Sequence, residues 1–402
     1  MSNRNNILTK VKERTDLTKK DIEFLQRFDN VHKRSVEIEH EGNLHKFKAF
    51  RAQHNNSLGP YKGGIRFHPK VNENEVKDLA FWMSMKTSLV GLPFGGAKGG
   101  VQINTRDFDD EILKKVSQEY VKVFSRHLGS DKDIPAPDAY TSSKEMGWML
   151  DKFESIKARK EPGFITGKPR LLGGSSGRNV ATGKGGFFVL QEALQSFENK
   201  TFAIQGFGNV GRAAATFIQE AKGKIIAVSD SSTAIYNKNG LNIAELKKFK
   251  DDGKSFEEHQ AQKISNEELL SLECDVLIPA ALSDVITKNN ANNIKTKLIL
   301  ELANGPITSE AQEILQKNKV IVIPDILGNS GGVIVSYFEW VQNKTSLYWE
   351  EEEVFTELQK RITDSYLAAK KLVDENNVSF RLACYIIASE RIIKAAKLRG
   401  RI

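Results

Sequence analysis

The spacing of hydrophobic positions changes about half-way along the chain. In the first half, apolar residues such as Val76 and Met83 recur at helical spacing over 76–90, and the same spacing returns over 110–127. From Thr201 onwards, short apolar runs alternate with helical segments. That alternation is typical of a parallel sheet whose strands are joined by helices, so the sequence predicts an α/β protein.

The later part of the chain predicts a domain of its own. Its predicted strands are 201–205, 224–229, 275–279, 297–302 and 320–324, and a last helix is predicted over 381–398. Because 402 residues exceed what one hydrophobic core usually serves, we expect two domains. We interpret the Gly- and Ser-rich segment 171–177 as the hinge between them.

A glycine motif, Gly206-Phe207-Gly208-Asn209-Val210-Gly211, follows the first of these strands and precedes a helix predicted over 212–220. In that context the glycines permit a tight turn, the approach of a pyrophosphate and close helix packing. Asp230 ends the next strand, where a carboxylate can bind the ribose hydroxyls of the cofactor. The predicted dinucleotide contacts here are Gly206, Gly208, Asn209, Val210, Gly211, Asp230 and Ser231.

Two lysines stand among glycines in the first half. Lys62 precedes Gly63-Gly64, and Lys98 lies within the run 95–100. We interpret both segments as Gly-rich loops that let a small molecule approach the ammonium groups closely. Burial and neighbouring cations lower the pKa of a lysine, which suits it for proton chemistry near neutral pH. The alternative is a pair of tight turns whose lysines are solvated.

The segments around these lysines resemble a known family. The runs 59–69, 92–100 and 133–138 are similar to the glutamate dehydrogenase branch of the Glu/Leu/Phe/Val amino-acid dehydrogenases. The resemblance continues through 278–281, 303–306 and 324–340, and so extends over nearly the whole chain.

The resemblance implies NAD(P)-dependent oxidative deamination of L-glutamate to 2-oxoglutarate and ammonia, and the reverse reaction. Lys98 matches the catalytic lysine that activates water, and Asp138 matches the carboxylate that shuttles protons to and from the amine. Lys86 matches the ligand of the substrate α-carboxylate, and Lys62 with Ser336 matches the pair that binds the side-chain carboxylate. Three lysines around one dianion should lower each other's pKa in the empty site. The alternative for Asp138 is a cap on the turn after Pro137.

Four further positions match the family. Thr182, Asn304 and Asn329 match residues near the nicotinamide, and Val333 matches the substrate pocket. Capping of loops by Asx turns is the alternative for the two asparagines. The run 177–185 looks like a phosphate-binding P-loop, but its spacing is one residue too long and Gly185 stands where Ser or Thr would bind magnesium.

The resemblance also implies the organisation of the molecule. It places an α/β substrate-binding and assembly domain over 1–176, a Rossmann-type, doubly wound dinucleotide-binding domain over 177–370, and a helical segment over 371–402 that returns to the first domain. It implies a homohexamer and a site between the two domains. Family members with an acid at position 230 use either cofactor, and Ser231, Ser232 and Lys238 offer contacts for a 2′-phosphate, so we expect both NAD and NADP to be accepted. The open alternatives are a dehydrogenase of an apolar amino acid, which Lys62 disfavours, a catalytically silent or nucleic-acid-interacting paralogue, and a Rossmann enzyme that uses another carbonyl compound.

Composition adds expectations about partners and location. The net charge of +8 is spread along the chain without a basic tract, so we expect anionic small molecules rather than nucleic acid as partners. The sequence shows no apolar run long enough to span a membrane and no signal-peptide core at its start, which favours a cytoplasmic protein without a membrane partner. Cys274 and Cys384 have no spacing typical of a disulfide framework or a metal site, so no metal is expected.

Overall fold

Helices and strands alternate through the computed structural model, which describes residues 3–402. The helices are α1 (Asn3–Lys12), α2 (Lys19–Gln26), α3 (Glu73–Leu89), α4 (Asp110–Phe124), α5 (Ser143–Lys157), α6 (Ala181–Leu194), α7 (Asn209–Glu220), α8 (Ile243–Asp251), α9 (Asn266–Leu270), α10 (Ser309–Lys317), α11 (Asp325–Gly328), α12 (Gly331–Thr345), α13 (Glu351–Asn376) and α14 (Phe380–Leu398). The strands are β1 (Asn30–His40), β2 (Asn43–Asn55), β3 (Tyr61–Phe67), β4 (Gly96–Val101), β5 (Asp133–Pro137), β6 (Thr201–Gln205), β7 (Lys224–Ser229), β8 (Ala234–Tyr236), β9 (Gln262–Ile264), β10 (Val276–Pro279), β11 (Leu298–Leu300) and β12 (Ile321–Ile323).

The chain divides into two compact units. Unit 1 contains the chain up to Arg178 together with Val333–Val354 and Tyr385–Ile402, and unit 2 contains Asn179–Gly332 and Phe355–Cys384. This division differs from the boundaries drawn on the sequence. Val333–Val354 packs with unit 1 although it lies between two segments of unit 2, and the final return to unit 1 occurs at Tyr385 rather than at 371.

Unit 1 is built on a five-stranded sheet with the order β1-β2-β4-β3-β5. The hairpin β1–β2 is antiparallel, whereas β3 runs parallel to both β4 and β5. A buried core that includes Phe67, Tyr120 and Phe153 joins this sheet to α4 and α5. Since α3 and α4 begin with capping side chains, Asn72 and Asp109, both helices start where a polar side chain satisfies a free backbone N–H.

The Gly-rich lysine segments are strands and not the loops that we expected. Lys62 lies on β3 and Lys98 lies on β4. Glycines normally weaken a strand, but here the neighbouring backbone comes so close that a side chain cannot be accommodated. A Cβ atom on Gly63 would lie 1.6 Å from the carbonyl oxygen of Ala97, so the close approach of β3 and β4 requires glycine at that position.

Unit 2 contains a seven-stranded sheet with the order β12-β11-β10-β6-β7-β8-β9. Its first five members in this order are parallel, and all five lie within or on the predicted apolar runs, which confirms the doubly wound fold expected from the sequence. The antiparallel edge strands β8 and β9 were not predicted, because each has only three residues and β9 is mostly exposed.

No helix within residues 3–402 is both long and apolar enough to cross a membrane. The expectation about a signal peptide concerns the start of the chain, and its first two residues, Met1 and Ser2, lie outside the described residues.

Arg51 supports β3 from β2 and allows a test of the fold of unit 1. Its fully buried guanidinium forms a two-pronged ion pair with Asp133, with one contact of 3.0 Å from Nε, and also donates to the carbonyl of Gly63 at 3.1 Å. Replacing Arg51 with Met would leave the buried carboxylate of Asp133 without a cation, and we expect a loss of about 3–5 kcal/mol in the free energy of unfolding. Urea denaturation measures this loss. The double variant Arg51→Met/Asp133→Leu should recover much of it, whereas equal instability of the single and double variants would contradict the assignment.

Candidate active site

Lys98 and Asp138 form an ion pair at the junction of three strands of unit 1. The Nζ of Lys98 lies 2.9 Å from Oδ1 of Asp138, and their side chains are 9% and 17% exposed. Lys98 comes from the middle of β4, and Asp138 directly follows β5. A Cβ atom on Gly64 would lie 2.8 Å from the Cβ of Asp138, so this glycine of β3 makes room for the carboxylate. A proton donor and a proton acceptor are therefore held in contact in a partly enclosed position.

Asp138 also contacts a second cation. The Nε of Arg66, on β3, lies 2.8 Å from its Oδ2 atom, and the Nη1 of Arg66 lies 2.5 Å from Oε1 of Glu75. Burial by itself would raise the pKa of Asp138, but the charges of Lys98 and Arg66 outweigh this effect and hold the pKa below its ordinary value. The two cations thus stabilise the carboxylate form of Asp138.

Lys62 is almost completely buried on β3. The residue is 1% exposed, and its Nζ donates to the backbone carbonyl oxygens of Ile134 at 3.4 Å and Pro135 at 3.3 Å. Burial lowers the pKa of Lys62 well below its ordinary value, with Glu339 opposing the shift and the positive charges of Arg178 and Arg51 adding to it. The lowering was expected, but its main cause is desolvation rather than repulsion from the other two lysines.

Ser336 faces a loop of unit 1 that the sequence did not suggest. Its hydroxyl lies 3.4 Å from that of Thr166, and Glu339, one helical turn further along α12, fixes the same loop. The carboxylate of Glu339 accepts from the N–H of Gly167 at 2.8 Å and from Nζ of Lys168 at 2.7 Å, and both charged side chains are fully buried. This buried pair therefore holds Thr166 beside Ser336.

Arg178 is a further cation that sequence reasoning missed, and the residue as a whole is half-buried. Its Nε atom is buried and has no hydrogen-bond partner among residues 3–402. Burial lowers the pKa of Arg178, and Glu339 opposes that shift. The cations Lys62, Lys168 and Arg178 thus share the field of one buried carboxylate, Glu339. Such an excess of buried positive charge favours an added anion such as a carboxylate.

The other two substrate positions lie on helices. Lys86 is half-buried in the last turn of α3, and Val333 is half-buried in the first turn of α12. The structure assigns both side chains to unit 1, like the four positions above.

The glycine motif of unit 2 adopts the strand–turn–helix arrangement that the sequence predicts. Gly206 begins the turn directly after β6 with φ of +96°, and a Cβ atom there would lie 2.6 Å from the Cβ of Ala281. Gly211 packs its Cα against the carbonyl of Gly206, whereas a Cβ on Gly208 would meet nothing within 4 Å. Gly208 is the N-cap of α7 and provides no side chain to cap it, so Asn209 and Val210 begin a helix whose first N–H groups suit a phosphate.

Asp230 lies beyond β7 and is already surrounded by donors. Its Oδ2 accepts from Nζ of Lys250 at 2.7 Å and from the N–H of Phe256 at 2.9 Å, and its Oδ1 accepts from the N–H and hydroxyl of Ser232. Burial alone would raise the pKa of Asp230, but these hydrogen bonds lower it far below its ordinary value. The cation in contact with this carboxylate is Lys250, at the end of α8, which the sequence did not suggest; Ser231 and Lys238, expected near a 2′-phosphate, are exposed.

The two predicted asparagines of unit 2 lie together. Nδ2 of Asn329 donates to Oδ1 of Asn304 at 2.9 Å and to the carbonyl oxygens of Leu302 and Ala303 at 3.3 and 3.2 Å. Asn329 is buried and Asn304 is exposed, so the buried amide orients the exposed one. Thr182 lies in the first turn of α6 and is half-buried.

The P-loop-like run has a packing role in the structure. A Cβ on Gly183 would lie 2.7 Å from the Cβ of Ala213, and one on Gly185 would lie 2.9 Å from the Cα of Gly331. Nζ of Lys184 lies 3.9 Å from the centre of the Phe217 ring. These contacts bring α6 close to its neighbouring helices, and they use the lysine in a cation–π contact. No group of three or more metal-binding side chains occurs within residues 3–402.

Two family models match the chain. Residues 29–155 match "Glu/Leu/Phe/Val dehydrogenase, dimerisation domain", and residues 173–400 match "Glutamate/Leucine/Phenylalanine/Valine dehydrogenase". The chain belongs to this family. The second match begins at residue 173, within the predicted hinge 171–177, and it contains both the glycine motif and Ser336.

Individual relatives support membership of the Glu/Leu/Phe/Val dehydrogenase family. The chain is 42% identical over 364 residues to the NAD-specific glutamate dehydrogenase of Staphylococcus aureus, which covers 90% of this chain and 88% of the relative. The crystal structure of glutamate dehydrogenase from Peptoniphilus asaccharolyticus matches with a TM-score of 0.89 at 36% identity, covering 99% of each chain. The leucine-bound, hetero-hexameric glutamate dehydrogenase of Thermus thermophilus matches with a TM-score of 0.93 at 29% identity, covering 98% of this chain and 96% of that one.

Proposed function

We propose that this protein catalyses the oxidative deamination of L-glutamate to 2-oxoglutarate and ammonia with NAD, and the reverse reductive amination. The observation that carries the choice of glutamate within the family is the excess of buried positive charge around Lys62. An apolar amino acid would leave the positive charge in excess of Glu339 uncompensated, whereas the side-chain carboxylate of glutamate supplies a further anion. The glutamate dehydrogenase names of the relatives support the same choice.

The residues of unit 1 have complementary roles in this proposal. Lys62 and Ser336 bind the side-chain carboxylate of the substrate, Lys86 binds its α-carboxylate, and Val333 lines its pocket. Lys98 activates the water that attacks the iminium carbon and stabilises the charge that develops there. Asp138 accepts a proton from the amine and later returns one to it, which its contact with Lys98 and its ionised state permit.

The residues of unit 2 fit a dinucleotide. The uncapped N-terminus of α7 and the open space at Gly208 would hold the pyrophosphate through Gly206, Gly208, Asn209, Val210 and Gly211. Asp230 and Ser231 would hold the adenosine ribose, and Thr182, Asn304 and Asn329 would lie on the nicotinamide side. When bound, the cofactor accepts the hydride that leaves Cα of glutamate.

A spectrophotometric assay of nicotinamide reduction with a panel of amino acids tests the proposal. We expect glutamate to be oxidised far faster than leucine, valine, phenylalanine or norvaline. Preference for an apolar amino acid would assign the protein to another branch of the family, and a folded protein that oxidises none of them would indicate a silent paralogue.

Both NAD and NADP are accepted in our proposal. NAD is the cofactor named for the Staphylococcus aureus relative. Acceptance of NADP is supported by Lys250, because its ammonium neutralises the carboxylate that would otherwise repel a 2′-phosphate. The hydroxyl groups of Ser231 and Ser232 beside it add hydrogen-bond donors. Turnover with one cofactor and none with the other at saturating glutamate would contradict this part of the proposal.

Replacing Lys250 with Ala should weaken the use of NADP selectively. Loss of one hydrogen bond between charged groups corresponds to about 1.5–3 kcal/mol, so we expect kcat/KM for NADP to fall by about 10- to 100-fold. The value for NAD should change little or rise. Steady-state kinetics with each cofactor measure the ratio. Lys238→Ala is the matched control, because Lys238 is exposed and the contact to Asp230 comes from Lys250. An equal fall in kcat/KM for NADP in both variants would contradict the role assigned to Lys250.

We further propose a homohexamer that acts in the cytoplasm. The hetero-hexameric assembly named for the Thermus thermophilus relative supports the subunit number. Both cysteines are buried and free, which suits a reducing compartment. Sedimentation velocity of the purified protein tests the assembly.

A further inference from the structure

Arg66 connects the catalytic pair to the first turn of α3. Its guanidinium is 23% exposed and bridges two carboxylates, with Nε on Asp138 at 2.8 Å and Nη1 on Glu75 at 2.5 Å. Because the guanidinium is planar and rigid, fixing one edge on Glu75 fixes the direction from which the other edge meets Asp138. Arg66 thus occupies Oδ2 of Asp138 while Lys98 occupies Oδ1.

This arrangement leaves the carboxylate of Asp138 little freedom to turn. Its backbone N–H donates to the hydroxyl of Thr141 at 2.9 Å, and that hydroxyl donates to the carbonyl of Ile65, the residue before Arg66, at 2.8 Å. Main chain and side chain of Asp138 are therefore both tied to β3. The charged groups that face Asp138 from the surrounding elements are Lys98 of β4 and Arg66 of β3, with Glu75 of α3 acting through Arg66.

We propose that Arg66, held by Glu75, is a positioning residue that fixes both the orientation and the charge state of Asp138. This inference rests on the proposed function, because it concerns the group that exchanges protons with the substrate amine. Arg66 does not take part in proton transfer itself. It keeps Oδ1 directed at Lys98, and it provides the second of two positive charges that stabilise the carboxylate form.

The pH profile separates this role from a merely structural one. The pKa of Asp138 is below its ordinary value with both cations in place, and removing one opposite charge at contact distance raises a carboxyl pKa by about 1–3 units. Oxidation of glutamate needs the ionised form, so its kcat/KM falls as the pH drops through this pKa. In Arg66→Gln we expect that acid limb to move to higher pH by about 1 unit or more. Well above the limb, where Asp138 is ionised in both proteins, the loss of rate that remains reports the lost orientation of the carboxylate.

Arg66→Lys provides the conservative comparison. A lysine keeps the positive charge beside Asp138, so we expect a smaller shift of the acid limb than in Arg66→Gln. It lacks the planar guanidinium that contacts Glu75 and Asp138 at the same time, so some shift should remain. Arg106→Gln is the matched control, because Arg106 is exposed and lies outside the site, and its profile should equal that of the wild type. Thermal melting establishes that each variant is folded before kinetics are compared.

The experiment distinguishes failure of the role of Arg66 from failure of the proposed function. An acid limb that stays in place in both Arg66 variants, or activity reduced by the same factor at every pH, overturns the inference. If Arg66→Gln does not fold, the pH profile of Arg66→Lys tests the inference instead. A profile of Arg66→Lys identical to that of the wild type would show that Arg66 does not position Asp138. A wild-type protein that does not oxidise glutamate rejects the proposed function, whereas an active wild type with unshifted variants rejects only the role of Arg66.

Discussion

Replacing Lys98 with Ala should lower kcat for glutamate oxidation by about 100-fold or more, the range that general acid–base catalysis contributes. The ammonium group of Lys98 contacts Oδ1 of Asp138 at 2.9 Å and its side chain is 9% exposed, so the variant loses a proton-transfer group from an enclosed position. The variant should still fold, because Arg66 remains to compensate the charge of Asp138. A loss of rate then reports chemistry and not the collapse of a buried ion pair.

Cofactor binding provides the internal check on Lys98→Ala. The residues of the glycine motif belong to unit 2, whereas Lys98 belongs to unit 1, so the affinity for NADH should remain near the wild-type value. Fluorescence titration of NADH measures it. Lys114→Ala is the matched control, since Lys114 is an exposed lysine of α4. A Lys98→Ala protein that folds, binds NADH and oxidises glutamate at the wild-type rate would reduce Lys98 to a structural residue.

Sequence reasoning located the strands of unit 2 well because each is a short apolar run with a local boundary. β6 and β7 coincide with the predicted ranges, and β10, β11 and β12 lie inside theirs. Parallel strands that are buried on both faces have apolar residues at nearly every position, so each appears in the sequence as a continuous hydrophobic run. β3 and β4 carry no such signal, because glycines replace the β-branched residues that strands favour. Glycines occur in these strands because Ala97 approaches Gly63 closely and Asp138 approaches Gly64 closely. Only the folded chain brings these residues together.

The same distinction applies to the candidate site. Residues within a recognisable motif, such as Lys98 and Asp138, were predicted individually, and the structure brings these two into contact. Residues that act through distant partners were missed. Lys250 reaches Asp230 from the end of α8, and Glu339 reaches the loop of Thr166 from α12, so neither has a local pattern that indicates its partner. Buried ion pairs of this kind depend on tertiary contacts and not on the spacing of residues along the chain.

Replacing Lys62 with Leu should change the substrate preference of the protein. The ammonium of Lys62 is the partner that we assign to the side-chain carboxylate of glutamate, and loss of one member of a buried ion pair corresponds to about 3–5 kcal/mol. At about 1.4 kcal/mol for each factor of ten, kcat/KM for glutamate should fall by at least about 100-fold. Activity on norvaline or methionine should persist or rise, because a leucine side chain offers an apolar surface to them. Initial rates over the same panel of amino acids measure the change.

The stability of Lys62→Leu distinguishes substrate binding from a structural role. Lys62 is 1% exposed, and burial lowers its pKa well below the ordinary value, so the unfolded chain binds a proton more readily there than the folded chain does. Below the ordinary pKa of lysine this difference opposes folding of the wild type, and Leu removes it. The variant should therefore be as stable as the wild type or more stable at neutral pH, and the advantage should shrink as the pH rises towards 10.4, the ordinary value for lysine. Urea denaturation across this range measures it, with Lys114→Leu as the surface control. Lower stability at neutral pH together with unchanged glutamate kinetics would show that Lys62 is a structural residue of β3 and that the side-chain carboxylate is bound elsewhere.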